Sequence, residues 1–153
     1  MLKIIKTDSE SEDFRTLIAE LDKNLSDING DEQNIYNSHN LIDYIETVAV
    51  IYIDENPIGC GAFKVLDNSS VEIKRVYLKL SHRGKGYSKN IMNELEEWAL
   101  QKGYTRSLLE TGKKQFSALA LYKSIGYKVI ENYGPYKNLS NSICMEKHLL
   151  PKM

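Results

Sequence analysis

The stretch VEIKRVYLKLSHRGKGYSKNIMNELEEW, residues 71–98, constrains this chain more than any other. It opens on a strand-like run with apolar Val71, Ile73, Val76 and Leu78, and it passes through Arg83-Gly84-Lys85-Gly86-Tyr87-Ser88. It closes on Ile91, Leu95 and Trp98 at helical spacing, with Met92 and Ala99 beside them. A strand that turns on glycine straight into an amphipathic helix must bury that helix on a sheet, which predicts an α/β or α+β protein. The loop itself suits an anion. Glycine lets the backbone turn tightly and approach a ligand with no Cβ in the way. The first N–H groups of the helix have no partner within it and carry the positive end of its dipole, so a pyrophosphate fits there, with Arg83 and Lys85 as countercharge. Taken alone, the loop also fits a tight turn bearing a solvated charge pair, the less common of the two cases. It matches neither the GxxxxGK[ST] of a P-loop nor a GxGxxG with an acidic residue downstream.

The strand before the loop adds a second signal. Its apolar positions run Val71, Ile73, then Val76, Leu78, so the alternation slips by one residue. The slip fits a β-bulge around Lys74 and Arg75, or a strand buried on both faces. A bulge would splay this strand from a neighbour and leave backbone groups to pair with a ligand.

Around this unit the chain alternates strands and helices. Residues 2–6 form a strand; Ser9 and Glu12 have capping-box spacing ahead of a helix whose apolar stripe is Phe14, Leu17, Ile18, Leu21 and Leu25. Residues 26–40 are polar and non-periodic, around Gly30, and lead into a short helical piece through Leu41, Tyr44 and Ile45. Residues 48–53 and 58–66 are strands joined by a turn at Asp54-Glu55-Asn56-Pro57; a further turn at 67–70 makes a meander with 71–78. After the helix stopped by Gly103 come a strand at 107–110, a helix at 115–125 ended by Gly126, and strands at 127–133 and 142–147.

Composition narrows the function classes. Hydrophobic residues at 42% and charged residues at 27% are those of a globular protein, and a net charge of −1 gives no global attraction to nucleic acid or to an anionic membrane. The N-terminus has no signal-peptide pattern, and no segment approaches the ~18 apolar residues of a membrane span. Cys60 and Cys144 stand apart within strands, and His39, His82 and His148 are scattered, so the expectation is buried thiols in a reducing cytoplasm and no metal.

With the loop, the slipped strand and the later helix on the page, the chain resembles the GNAT superfamily of acetyl-CoA-dependent N-acetyltransferases. Arg83, Gly86 and Ser88 stand at the fixed positions of its R/Q-x-x-G-x-G/A signature, with Ser88 in place of the usual Gly or Ala. Gln115, Ala118, Leu121 and Tyr122, followed by Gly126 and Tyr127, fill its N-x-x-A-x-x-L-Y motif, with Gln for Asn. The stretches LETGKKQFSALALYKSIGY and YGPYKNLSNSICMEK resemble a group of small bacterial members. The resemblance implies a single domain over 1–153, with a mixed, mostly antiparallel sheet of about six to seven strands, helices on both faces and a splayed central strand pair.

It also implies roles. Acetyl-CoA is the acetyl donor, and transfer to a primary amine is direct, through a tetrahedral intermediate. Val76, Tyr77 and Leu78 would pair with pantetheine through their main chain, residues 83–88 would hold the pyrophosphate, and Gln115, Ala118 and Tyr122 would complete the cofactor site. Tyr122 matches the general acid; the alternative is a core tyrosine beside Ala118 and Leu121. Glu72 is the expected base, against a surface residue paired with Lys74, and Glu110 is the competing carboxylate. On the acceptor side, Arg75 would meet an anionic group or pair with Glu72. Tyr133 and Tyr136 flank Gly134-Pro135 near the cleft, and Glu20 lies on the first helix. The expected partner is a small-molecule or peptide amine, not nucleic acid or membrane, and homodimer formation stays open. An acyl-CoA sensor without turnover and a protein acetyltransferase are the competing readings. The second would call for an acidic groove, for which the Asp27–Glu32 region is the one acidic loop.

Overall fold

The computed structural model describes residues 1–29 and 44–150, apart from the side chains of 24–29. The elements are β1 (Leu2–Thr7), α1 (Glu12–Asn29), β2 (Val48–Ile53), β3 (Asn56–Val65), β4 (Ser70–Leu78), α2 (Tyr87–Gln101), β5 (Arg106–Gly112), α3 (Phe116–Ser124), β6 (Lys128–Ile130) and β7 (Ser142–His148). Short 3₁₀ turns lie at Leu80–His82 and Gly134–Tyr136. The described strands make one seven-stranded mixed sheet in the order β1-β2-β3-β4-β5-β7-β6. β4 and β5 run parallel, joined by the α2 crossover that a parallel pair requires; the other described pairs are antiparallel.

Side-chain alternation along the strands divides the core between two faces. Val48 and Val50 of β2 join Phe14, Leu17 and Ile18 of α1. Ala49 and Ile51 point the other way, to Ile91, Met92 and Leu95 of α2 and to Tyr122 of α3. Helices therefore cover both faces, as the family resemblance implies. Ile91 and Leu95 are fully buried, and each such side chain contributes roughly 1.5–3 kcal/mol.

The slip in β4 is a β-bulge. Ala62 of β3 pairs with Lys74 and Cys60 with Tyr77, so the ladder shifts register across Arg75 and Val76. Arg75 adopts a φ of 58°, a left-handed conformation that costs a non-glycine residue roughly 1–2 kcal/mol. The β4–β5 ladder runs from Ser70↔Arg106 to Ile73↔Leu109 and stops there, although β4 continues to Leu78 and β5 to Gly112. The two strands part above that point.

Several local expectations are corrected. The β2–β3 turn is tighter than the four residues expected: Asp54 and Glu55 alone close it, both at positive φ, and Asn56 and Pro57 already pair with β2. The Ser9 hydroxyl does not cap α1. It accepts a hydrogen bond from the Ile45 N–H at 2.8 Å, while the Ser11 hydroxyl accepts from the Phe14 N–H at 3.2 Å and forms the cap. Helix α1 runs on to Asn29 instead of ending near Leu25. Tyr44 and Ile45 are not helical; Leu41 and the polar stretch from residue 30 lie outside the described residues. The strand expected at 127–133 contracts to Lys128–Ile130, because Tyr127 turns inward as a core residue and Gly134-Pro135 imposes a 3₁₀ turn.

Candidate active site

The end of β4 beyond this parting borders a cavity of about 490 Å³. Val76, Tyr77 and Leu78 of β4, Arg83 to Gly84 and Gly86 to Lys89 at the start of α2, and Lys114 to Ala118 at the start of α3 line it, with Leu21, Leu121 and Tyr122. Two helix N-termini thus border one space, each with unpaired N–H groups and positive dipole. Gly84 and Gly86 take φ of 80° and 85°, and a Cβ built on either would meet nothing within 4 Å. The backbone here is bare and open, as a phosphate-bearing ligand needs. Lys89 and Lys114 add positive charge at the lining.

Most of the expected cofactor residues gather at this cavity: Val76, Tyr77, Leu78, Arg83, Gly84, Gly86, Tyr87, Ser88, Gln115, Ala118 and Tyr122. Lys85 is exposed and stands outside the lining. Arg83 turns back: its Nε donates to the Leu78 carbonyl at 2.9 Å and its guanidinium lies over the Tyr77 ring. It braces the loop against β4. The residues that sequence reasoning missed are Leu21, Lys89, Lys114, Phe116 and Ser117. The Lys113-Lys114 pair just before the α3 motif was the available signal for a second basic rim.

Tyr122 is buried, with its ring edge-on to Tyr127. Burial, reinforced by the charge of Glu110, pushes its phenol well above the ordinary value, so it stays protonated across the physiological range.

Beyond the cavity, on the α1 side of the sheet, β4, β5, β7 and the Gly134–Tyr136 turn hold a polar cluster. Glu72 is buried. Its Oε2 accepts from the Tyr133 hydroxyl at 2.6 Å, its Oε1 lies 3.4 Å from Lys74 Nζ, and the Tyr136 hydroxyl also donates to it. Lys74 Nζ donates to the Tyr136 hydroxyl at 3.2 Å. Glu72 does pair with Lys74, but within the fold and not at its surface. Burial first, and then Glu72, raise the pKa of both tyrosines. Glu110 accepts from the Ser142 hydroxyl at 2.8 Å, and burial raises its carboxyl above the usual range. Arg75 pairs with Asp22 of α1, a partner that the sequence did not suggest. Glu20 accepts from the Tyr77 hydroxyl at 3.1 Å and lies 3.3 Å from Lys79. The structure thus brings Glu72, Glu110, Tyr133 and Tyr136 together, and turns Arg75 and Glu20 toward the α1–β4 seam. Among the described residues no cluster of His, Cys, Asp and Glu could hold a metal ion, and no helix is long and apolar enough to cross a membrane.

Residues 11–127 match the model of the acetyltransferase (GNAT) family. The chain belongs to the GNAT family. As a member it is an acetyl-CoA-dependent acetyltransferase. Its relatives agree: it is 31% identical over 141 residues to the IAA acetyltransferase of Azospirillum brasilense, a match covering 87% of this chain and 88% of that one. It is 39% identical over 93 residues to the uncharacterized N-acetyltransferase YsnE of Bacillus subtilis (strain 168), a match spanning 60% of this chain and 62% of the length of YsnE. Among solved structures, a protein of Klebsiella pneumoniae provisionally described as an acyl-CoA N-acyltransferase superposes with a TM-score of 0.82 at 28% identity, covering 98% and 99% of the two chains. The paiA N-acetyltransferase of Thermoplasma acidophilum, solved with coenzyme A, shares the GNAT fold, with a TM-score of 0.71 at 22% identity over 97% of this chain and 99% of that one. The bare, doubly dipolar cavity fits acetyl-CoA as this GNAT protein's cosubstrate.

Proposed function

We infer that this protein moves the acetyl group of acetyl-CoA to the primary amine of a small molecule or a peptide, by direct transfer in the cleft where β4 and β5 part. The observation that carries this reading is the meeting at one cavity of two helix N-termini, the bulged end of β4 and the Tyr122 side chain. Gly84, Gly86, Tyr87, Ser88 and Lys89 would bind the pyrophosphate on a loop braced by Arg83, Lys114 to Ala118 would border the pantetheine, and the main chain of Val76 to Leu78 would pair with it. Bound there, acetyl-CoA supplies the thioester that an amine attacks. Tyr122, protonated at working pH, would donate to the leaving sulfur. The carboxylates of the polar cluster would draw the proton from the amine. We read residues 1–153 as one domain working in the cytoplasm, where the buried free thiols of Cys60 and Cys144 fit a reducing medium.

Acetyl-CoA turnover, followed as thiol release with amino acids, polyamines, aminoglycosides and peptides, tests this function. Release with at least one amine class is expected, and Tyr122→Phe should lower kcat by about a hundredfold while acetyl-CoA binding is kept. Tight acetyl-CoA binding with no release by any amine would instead make the protein an acyl-CoA sensor.

A further inference from the structure

Lys74 and Arg75 of β4, and Lys79 just after it, each have an acid of their own. Lys74 lies 3.4 Å from Glu72, Arg75 pairs with Asp22, and Lys79 lies 3.3 Å from Glu20. Glu110 is the carboxylate left over. Among the described residues it has the Ser142 hydroxyl on Oε2 and no Lys or Arg within ion-pair distance. A half-buried carboxylate with no cation at contact is costly to keep unless a ligand brings the charge.

Backbone position gives this odd acid its meaning. Glu72 pairs with Leu108, inside the β4–β5 ladder. Glu110 follows Leu109, the last residue of β5 to pair with β4, and so stands where the two strands begin to part, facing Tyr122 at the wall of the cavity. The groups that face it are Glu72 and Lys74 of β4, Ser142 and Cys144 of β7, Tyr136 of the 3₁₀ turn, and Tyr122 of α3. Glu72, in contrast, has both oxygens taken, by Tyr133 and Lys74, with Tyr136 donating as well. Three partners thus hold its carboxylate in place, against the single hydroxyl on Glu110.

Resting on the acetyltransferase reading, we propose that Glu110 receives the acceptor as an ammonium ion and takes its proton, while Glu72 is a positioning residue that fixes Tyr133 and Lys74. The acceptor is a cationic primary amine with no carboxylate beside the nitrogen, because such a carboxylate would be driven against Glu72 and Glu110 while Lys74 is already engaged. The step balances as follows. An ammonium proton passes to a Glu110 oxygen, and the freed nitrogen lone pair forms the N–C bond to the acetyl carbon. The C–S bond breaks with its electron pair on sulfur. Sulfur takes the proton of the Tyr122 hydroxyl, which is restored by the second proton that the nitrogen loses. One proton leaves through Glu110 per turnover. Burial, which raises the Glu110 carboxyl above its ordinary value, makes the ionised group a better proton acceptor.

The test is steady-state acetyl-CoA turnover across pH for the wild type, Glu110→Gln and Glu72→Gln, with n-butylamine, putrescine, glycine and alanine as acceptors. Wild type should favour n-butylamine and putrescine over the two amino acids by about tenfold or more in kcat/KM, a gap of the size that one unfavourable buried charge contact produces. Glu110→Gln should lower kcat about a hundredfold or more, abolish the acid limb of the kcat/KM profile and leave the KM for acetyl-CoA unchanged. Glu72→Gln should keep that limb. Formate should restore part of the rate to Glu110→Ala, and none to Glu72→Ala, which separates a missing base from a misfolded site. A Glu110→Gln enzyme that keeps the acid limb, or amino acids that outrun both amines, overturns the proposal and leaves the acetyltransferase reading standing. Wild type that consumes acetyl-CoA with no amine overturns both.

Discussion

Tyr127 sets its ring edge-on to Tyr122, with centroids 5.9 Å apart and planes at 62°. Its hydroxyl is 2.9 Å from Glu96 and 2.8 Å from Ser107, and the other Glu96 oxygen holds Lys147 at 2.7 Å. A buried ionic network therefore fixes one ring, and that ring backs the proposed acid. Tyr127→Phe keeps the packing but takes a donor from a buried carboxylate, so we expect a loss of about 1–3 kcal/mol in urea denaturation with kcat nearly unchanged. Tyr127→Leu also removes the ring contact, worth roughly 0.5–1.5 kcal/mol, and should lower kcat several-fold without raising the KM for acetyl-CoA. Equal kcat values for the two variants would show that Tyr122 is held by other neighbours.

Gly86 offers a test of the loop that depends on conformation alone. It caps α2 at a φ of 85°, and a methyl group there would strike nothing within 4 Å. Gly86→Ala should thus cost about 1–2 kcal/mol of strain, or else let the loop relax to negative φ. Relaxation would turn the first α2 N–H groups away from the cavity. The expected outcome is a rise of about tenfold in the KM for acetyl-CoA with a smaller change in kcat, read from initial rates.

How much of this was legible in the sequence depended on whether the signal was local. The β4 bulge showed as a slipped alternation between Ile73 and Val76, because burial on each face dictates side-chain parity. The α2 loop showed because positive φ demands glycine at Gly84 and Gly86. What could not be read was pairing over distance. Nothing in the local pattern joins Arg75 to Asp22, 53 residues away, or Tyr133 to Glu72, 61 residues away. The Ser9 hydroxyl was misassigned for the same reason: its partner is Ile45, supplied by the tertiary fold, and not its own helix. Which of Glu72 and Glu110 is free to act is likewise a question of partners, and the local sequence pattern does not carry it.

The Arg75–Asp22 pair ties the bulge to α1, and two substitutions separate its effects. The Arg75 side chain is 7% exposed and that of Asp22 43%. Asp22→Asn leaves a buried guanidinium with a weaker acceptor and should cost about 1–2 kcal/mol, below the range for fully buried pairs because Asp22 is partly solvated. Arg75→Gly removes the ion pair but also releases the strain of φ 58°, worth roughly 1–2 kcal/mol. Arg75→Gly should therefore be no more destabilising than Asp22→Asn in urea denaturation. A much larger loss for Arg75→Gly would mean that the buried stem of Arg75, not its charge, holds the seam.

Glu110 makes the stability of the fold depend on pH in a direction opposite to that of most carboxylates. Burial raises its pKa, with Glu72 adding to the shift and the Ser142 hydroxyl and Lys74 opposing it. A carboxyl whose folded pKa lies above its unfolded one favours the fold when protonated. That contribution is complete below the ordinary glutamate value of ~4.3 and is lost as pH rises through the raised folded value. Gln at this position never ionises and escapes the loss. Glu110→Gln should consequently gain stability relative to wild type as pH rises from about 4 to 7, measured as the difference in Tm between the two proteins at each pH. Adding n-butylamine should narrow the difference at neutral pH, because an ammonium bound to the ionised carboxylate stabilises only the wild type. A Tm difference that stays flat with pH would mean that Glu110 is already compensated in the folded protein, and the reason to place an ammonium there would be gone.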